Sequence, residues 1–392
     1  MLGMLGILGM LGMLNAILEF CESRCDWAVE TIDTLARLES PTLDKRAVDE
    51  CGQELRRRLE AMGGRGAQLP REQTGDHLLV EFGSGTRQVL ILGHFDTVWP
   101  VGQIGRMPIK SENGRLYGPG VFDMKGGIVI GMLATRALCE VGPPLRRRVV
   151  MLWTADEERG SVSSREVIAE QARRSDAVLV LEPSGPGGAL KTSRKGCGEY
   201  ELVVKGRAAH AGVDPAKGAS AVHELARQIV ALEALQDLER GISVNVGVIG
   251  GGTQPNVVAE QARAIIDVRA PTLEDASRVD EVFRTLRARA DGVSIHIRGG
   301  FERPPLERSV SVARLYELAR AVAADLGREL GEGRSGGGSD GNLTAALGVP
   351  TLDGLGAVGE GPHALHEHVE IDAIPWRAAL VAGLLTRLDE AT

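Results

Sequence analysis

Val89-Leu-Ile-Leu92 is a run of four apolar residues, and Gly93-His-Phe-Asp96 follows it directly. A strand apolar on both faces belongs in a sheet covered by helices on both sides. In open α/β sheets, ligands gather at the carboxyl ends of the strands. His94 and Asp96 stand at that end, two residues apart, so on an extended chain they point the same way. A carboxylate there can accept the second ring N–H of a metal-bound histidine and fix its tautomer. A lone histidine after a strand is more often a satisfied structural residue, so the other strand ends decide the matter.

The pattern recurs. Val149-Val-Met-Leu-Trp153 runs into Asp156-Glu-Glu-Arg-Gly160, and Ala177-Val-Leu-Val-Leu181 ends in Glu182-Pro183. Between them, the turn Gly118-Pro-Gly-Val-Phe-Asp123 precedes an apolar helix opened by Gly126 and Gly127. Asp123 then sits at a helix N-terminus, where backbone N–H groups favour anions; simple helix capping is the plain alternative. Adjacent Glu157 and Glu158 repel each other if desolvated. Either they lie in a solvated loop, or one binds metal while the other stays available as a base. Gly361-Pro-His-Ala-Leu-His-Glu-His368 holds three of the eight histidines.

His94, Asp123, Glu158, Glu182 and one histidine of 363–368 are thus ligand candidates. Mixed nitrogen and oxygen donors suit zinc, and less selectively cobalt or manganese. Five donors exceed one tetrahedral ion. They fit two ions ~3.5–4 Å apart that share a bridging carboxylate. Two divalent cations, three carboxylates and one hydroxide sum to zero charge. Glu157, beside a ligand, is placed to take a proton from water and pass it to a leaving amine.

Composition narrows the partners. The chain has 392 residues, which predicts two domains. A net charge of -8, 3% aromatic residues and no basic run argue against nucleic acid. No GxGxxG opens a helix after a strand, which excludes a dinucleotide fingerprint. The five cysteines are scattered and odd in number, without CxxC pairs. They read as reduced thiols in a cytoplasmic protein rather than a disulfide scaffold or a cysteine zinc site. Met1 to Leu14 repeats MLG, apolar but rich in glycine and without the basic start of a signal peptide. Residues 1–14 are expected as a poorly ordered extension, with no membrane association.

Periodicity predicts a helix from Asn15 to Leu38, one from Lys45 to Met62, and strands at His77–Phe82 and Val89–Leu92. From about Leu190 the texture changes to strand, helix, two strands, helix, strand, the β-α-β-β-α-β order of a ferredoxin-like unit. The expected domains are 15–189 and 301–392 for the catalytic part, with 190–300 inserted. The fold class is α/β, a mostly parallel mixed sheet between helices with an inserted α+β unit.

These motifs resemble the zinc aminoacylase and carboxypeptidase family, which includes glutamate carboxypeptidase, aminoacylase, acetylornithine deacetylase and succinyl-diaminopimelate desuccinylase. The resemblance runs from about residue 25 to the end. It rests on Gly93-His-Phe-Asp-Thr-Val98, Gly118 to Gly127, Asp156 to Gly160, Leu181-Glu-Pro183, Ala209-His-Ala-Gly212, Gly336-Gly-Gly-Ser-Asp340 and His363 to Glu370. It implies a di-zinc aminopeptidase-like catalytic domain and a lid and dimerisation domain, with Co2+ or Mn2+ as possible substitutes for the two Zn2+. His94, Asp123 and Glu182 would hold one ion, and Asp123, Glu158 and His363 the other. Asp96 would orient His94, and Glu157 would be the general base. The resemblance also allows a cis bond after Asp123. His210 would reach a neighbouring subunit's site in a homodimer and stabilise the oxyanion. Asn256, Arg269, Gly337 and Gly338 would hold the substrate carboxylate, Arg through its bidentate fork. Arg194 and Lys195 would either steer anions or form a solvated hinge. The implied reaction is cleavage of the amide bond to a C-terminal amino acid by metal-activated water, closest to the glutamate carboxypeptidase branch. The substrate would be a small peptide or an N-acyl amino acid. An N-acyl amino acid deacylase with the same site is the near alternative. An inactive binding protein that keeps the fold is the distant one.

Overall fold

The structure, a computed structural model, describes residues 2–144 and 146–390, with side chains from residue 9 to residue 389. The chain divides into two compact units. One comprises Met1–Thr192, Arg308–Ser335 and Ser339–Thr392; the other comprises Ser193–Glu307 and Gly336–Gly338. The three glycines come from a stretch read in the sequence as catalytic-domain chain.

In chain order, three helices come first: α1 (Leu2–Ser23), α2 (Cys25–Arg37) and α3 (Lys45–Ala61). Strands β1 (Arg65–Leu69), β2 (His77–Phe82), β3 (Gln88–His94), β4 (Lys110–Glu112) and β5 (Arg115–Tyr117) follow. Then come α4 (Gly126–Val141), β6 (Arg148–Thr154), α5 (Arg165–Arg173), β7 (Ser175–Val180) and β8 (Leu190–Arg194). The second unit contains β9 (Gly196–Lys205), α6 (Ala221–Glu233), β10 (Ser243–Gly251), β11 (Gln261–Ala270), α7 (Leu273–Thr285) and β12 (Ser294–Arg303). The first unit resumes with α8 (Val310–Asp325), β13 (Glu332–Ser335), α9 (Asp340–Ala346), β14 (Thr351–Leu352), β15 (Gly359–Glu360), β16 (His368–Glu370) and α10 (Ala373–Glu390).

The main sheet has the order β1-β2-β6-β3-β7-β14. Its β6-β3-β7-β14 part is parallel, and β1 and β2 add an antiparallel edge. Alternation along each strand sorts residues onto two faces. Val89, Ile91, Met151, Trp153, Leu179 and Leu181 join the core that includes α4. Leu90, Leu92, Val150, Leu152, Val178 and Val180 pack with Ile168 of α5 and Leu343 of α9. Both faces are covered, which is why these strands read as unbroken apolar runs. Each Val, Leu or Ile buried this way contributes roughly 1.5–3 kcal/mol.

The expectation of a poorly ordered extension is overturned, because α1 begins at Leu2. The side chains of residues 1–8 lie outside the described residues. From there on, Leu14, Ile17 and Cys21 are buried in the main core, and α1 packs on α4 and α10. Burial against two helices outweighs the low helix propensity of the glycines. The helix expected from Asn15 to Leu38 also breaks, at Arg24, where α2 begins. Among the described residues no helix is long and apolar enough to cross a membrane.

The second unit is one four-stranded antiparallel sheet of order β10-β11-β9-β12. With α6 and α7 this is the ferredoxin-like arrangement. Tyr200, Leu202, Ile266 and Val268 of the sheet pack with Leu225, Val279 and Phe283 of the helices. The rings of Tyr200 and Phe283 stack at 3.9 Å.

Candidate metal centre

Parallel pairing brings the donors to one edge. The register sets His94 of β3 against Thr154 of β6 and Leu92 against Val180 of β7. Glu157 and Glu158 therefore leave the sheet beside His94, and Glu182 leaves it on the other side. Asp123 arrives from the turn that precedes α4. Gly127 lets that helix abut β7: a side chain there would collide with the carbonyl oxygen of Leu181. A second, small sheet of order β15-β16-β5-β4 carries the last donor. It pairs His368 with Tyr117, so the loop that holds His363 lies beside the turn that holds Asp123.

Two sets of donors result, and they share one carboxylate. His94 Nε2 lies 3.3 Å from Asp123 Oδ1 and 3.4 Å from Glu182 Oε1. His363 Nε2 lies 3.3 Å from Asp123 Oδ2 and 3.3 Å from Glu158 Oε1. One oxygen of Asp123 faces each set. Ligand atoms of His94, Asp123 and Glu158 lie within 4.8 Å of one another. The Asp123–Met124 peptide bond is cis. His363 has φ +61, a left-handed conformation uncommon outside glycine.

Asp96 is fully buried and ties this edge together. Its backbone oxygen lies 3.0 Å from His94 Nδ1, nearer than its carboxylate at 3.4 Å. Accepting at Nδ1–H leaves His94 Nε2 as the nitrogen that could ligate a metal. The carboxylate accepts from the Thr42 hydroxyl at 2.7 Å and from the backbone N–H groups of Glu157 and Glu158 at 3.2 Å each. One residue thus fixes the histidine and the loop of the paired glutamates.

The electrostatics call for positive charge. Burial disfavours a charged His94, yet Asp123, Asp96 and Glu182 raise its pKa well above 6.5. Asp123 and Glu158 push His363 up to about 10. Burial would raise Asp123, but the two histidines hold it below the usual carboxylate range. Burial raises Glu158.

The residues fit a metal pair. Asp123 Oδ1 is buried and has no hydrogen-bond partner, although His94 Nε2 approaches within 3.3 Å. At that distance without alignment, the contact is a close approach rather than a hydrogen bond, and it leaves the oxygen available to a metal ion. Imidazole and carboxylate together are a donor set suited to zinc.

The remaining expected residues lie in the second unit. His210 is exposed, and its Nδ1 accepts from the backbone N–H groups of Gly212 and Val213 at 3.1 Å each. In the neutral ring that makes Nε2–H the free donor. His210 pairs with Val257 in an isolated bridge, and Ala211 N–H donates to Asn256 O at 2.9 Å, so Asn256 neighbours His210. Arg269 makes a bidentate pair with Asp267 at 2.9 and 2.7 Å. Arg194 is buried and donates to the carbonyls of Gly337 and Gly338 at 3.2 Å each, so it is no solvated hinge. A side chain on Gly338 would stand 2.8 Å from Cys197 Sγ, so the position is tight for anything but glycine.

Three supporting residues carried no signal of their own in the sequence. Thr42 reaches Asp96 from the loop after α2. Asp340 accepts from the Thr154 hydroxyl at 3.1 Å and closely from the Ser161 hydroxyl, bracing the Glu157–Glu158 loop. Glu367, fully buried, accepts four N–H bonds around Asp123. The resemblance took in His363 to Glu370 as a stretch without giving Glu367 a task.

Residues 90–387 match the profile of peptidase family M20/M25/M40. The chain belongs to this family. It is 30% identical over 376 residues to carboxypeptidase G2 of Pseudomonas sp. (strain RS-16), spanning 92% of this chain and 89% of that one. It is 29% identical over 345 residues to a succinyl-diaminopimelate desuccinylase of Rhodopseudomonas palustris (strain HaA2), spanning 80% and 86%. Among solved structures, aminopeptidase PepT of Bacillus cereus superposes with a TM-score of 0.76 at 22% identity over 92% of this chain and 98% of that one. An M20 family metallo-carboxypeptidase of Sulfolobus solfataricus superposes at 0.71 and 20% over 93% and 99%. A dinuclear metal binding peptidase of the M20 family from Bacillus subtilis superposes at 0.71 and 16% over 95% and 100%. This M20 member is a metallopeptidase or amidohydrolase with the family fold.

Proposed function

We propose that this protein cleaves the amide bond to a C-terminal amino acid, as a glutamate carboxypeptidase-like exopeptidase that uses two zinc ions. The carrying observation is Asp123, whose two carboxylate oxygens face two separate donor sets. His94, Asp123 and Glu182 would hold one ion, and Asp123, Glu158 and His363 the other. Bound there, zinc supplies Lewis acidity, polarising a carbonyl oxygen and lowering the pKa of water toward ~7.

The chain supplies the rest. Glu157 takes a proton from the attacking water on a carboxylate oxygen and returns it to the departing amine nitrogen. Its backbone is fixed by Asp96, so the base is held in place by the residue that orients His94. His210, with Nε2–H free to donate, stabilises the oxyanion. Asn256, Arg269 and the backbone of Gly337 and Gly338 hold the substrate carboxylate. The likeness to carboxypeptidase G2 over nearly the whole chain supports the carboxypeptidase reading. A second reading, an N-acyl amino acid deacylase, is favoured by the relatives named succinyl-diaminopimelate desuccinylase and acetylornithine deacetylase.

We also propose a homodimer through the second unit. Edge strand β10 leaves Val248 and Ile249 exposed, and α6 leaves Val222 and Val230 exposed, apolar positions beside an open sheet edge that another copy of this chain would cover.

Amino-acid release from a panel of dipeptides and N-acyl amino acids tests the function. The C-terminal residue and the acyl group are varied separately, with and without a chelator and zinc add-back. The expected result is chelator-sensitive release governed by a C-terminal Glu or Asp. Selectivity for the acyl group would move the protein to the deacylases. No release from any substrate, with two metals bound, would leave an inactive binding protein.

A further inference from the structure

Asp123 bears the heaviest demand in the proposed site, since both donor sets depend on it. Its support is unusual. It stands in the irregular turn Gly118 to Lys125, which lies in no strand and has non-helical backbone at Asp123 and Met124. Regular secondary structure does not fix its position, so something else must.

Glu367 does. Its side chain is 0% exposed. Oε1 accepts the backbone N–H groups of Phe122 at 2.9 Å and Asp123 at 3.0 Å. Oε2 accepts the backbone N–H of Gly120 at 3.0 Å and the indole N–H of Trp99 at 2.9 Å. The backbone oxygen of Glu367 takes the N–H of Gly118 at 3.3 Å. Each carboxylate oxygen accepts two donors, and three of the four donors belong to the turn that presents Asp123. Glu367 also lies four residues after His363 on the same loop, so one side chain links the carriers of two proposed ligands.

We propose that Glu367 is a positioning residue for the metal pair: it locks the Gly120–Asp123 turn to the His363 loop and so sets Asp123 and His363 at the spacing that the second donor set needs. The proposal rests on the two-metal reading above. Charge-assisted hydrogen bonds to a buried carboxylate are strong and directional. Glutamine at this position would keep the shape but not the chemistry. Whichever way its amide turned, an NH2 group would meet two N–H donors, and half of the clamp would become repulsive.

The test is a metal titration of chelator-stripped protein, using zinc or cobalt ions alone, with bound metal per chain and melting temperature both recorded. Glu367→Gln is expected to fold and to bind the second ion about 10–100-fold more weakly, the usual effect of removing a partner that orients ligands. Leu14→Ala, distant from the turn, serves as the comparison: it lowers melting temperature and leaves both ions bound. That contrast separates positioning from a general loss of stability. If Glu367→Gln does not fold, Trp99→Phe decides, because it removes one donor and keeps the acceptor; it should weaken the second ion several-fold at nearly unchanged melting temperature. Wild-type affinity for both ions in a folded Glu367→Gln, or in Trp99→Phe where that variant decides, would overturn the proposal. Wild-type protein that binds no metal pair would instead overturn the two-metal reading itself.

Discussion

Glu157 and Glu158 are neighbours in the chain with different surroundings. Glu158 meets His363 at 3.3 Å, while the backbone of both is held by one carboxylate of Asp96. Two adjacent carboxylates stay ionised together only if they are not asked to share one place. The proposed division of labour spends Glu158 on metal and Glu157 on the proton. Glu157→Gln should keep both ions and lose turnover by about 10²–10⁴-fold. Metal analysis alongside kcat checks this; normal kcat would remove the base assignment. Residues of this kind were legible because each follows a strong local signal. His94, the paired glutamates and Glu182 directly follow apolar runs, and Asp123 precedes a glycine-opened helix. Glu367 was not legible as a clamp. Its task depends on the pairing of His368 with Tyr117, a register between distant segments that no local pattern records.

At the scale of elements, buried strands and capped helices came through well. The expected strand at His77–Phe82 matches β2, and the helix expected from Lys45 to Met62 matches α3, which Asp44 caps by accepting from the N–H of Ala47. The ribbon strands β4 and β5 were not anticipated, because exposed segments of three residues carry no periodicity. Helix α1 went wrong for a different reason. The MLG repeat is poor in helix propensity terms, and its covering partners, α4 and α10, lie far along the chain. Leu14 is 1% exposed and packs against Gly383 of α10, where a Cβ would stand 2.8 Å from Leu14 Cδ2. Leu14→Ala should therefore cost about 2–5 kcal/mol, measured as a lower urea midpoint. An unchanged midpoint would mean that α1 adds nothing to the core.

At the scale of the molecule, the two units have different sequence textures because they bury their sheets differently. The main sheet is covered on both faces, whereas the sheet of the second unit alternates buried and accessible residues along β11. That alternation made the ferredoxin-like order readable. It also leaves strand β10 as an open edge with Val248 and Ile249 exposed. Light scattering should give a mass of about twice the 41.7 kDa of one chain. Charged residues at both positions, Val248→Asp with Ile249→Lys, should return it to a single chain. A wild-type mass of one chain would remove the dimer.

The order in which the donors occur along the chain carries one further consequence. His94, Asp123, Glu158 and Glu182 all precede the second unit, and His363 follows it, close to the end of the 392 residues. Helix α10, which covers α1, is later still. During synthesis, then, a ribosome releases the four early donors and the whole second unit before the fifth donor exists. A truncated or stalled chain lacks both the clamp and the last imidazole. The order of translation thus keeps the proposed hydrolytic centre incomplete until residue 363 has been made, and the apolar face of α1 waits longer still for the part of its cover that α10 supplies.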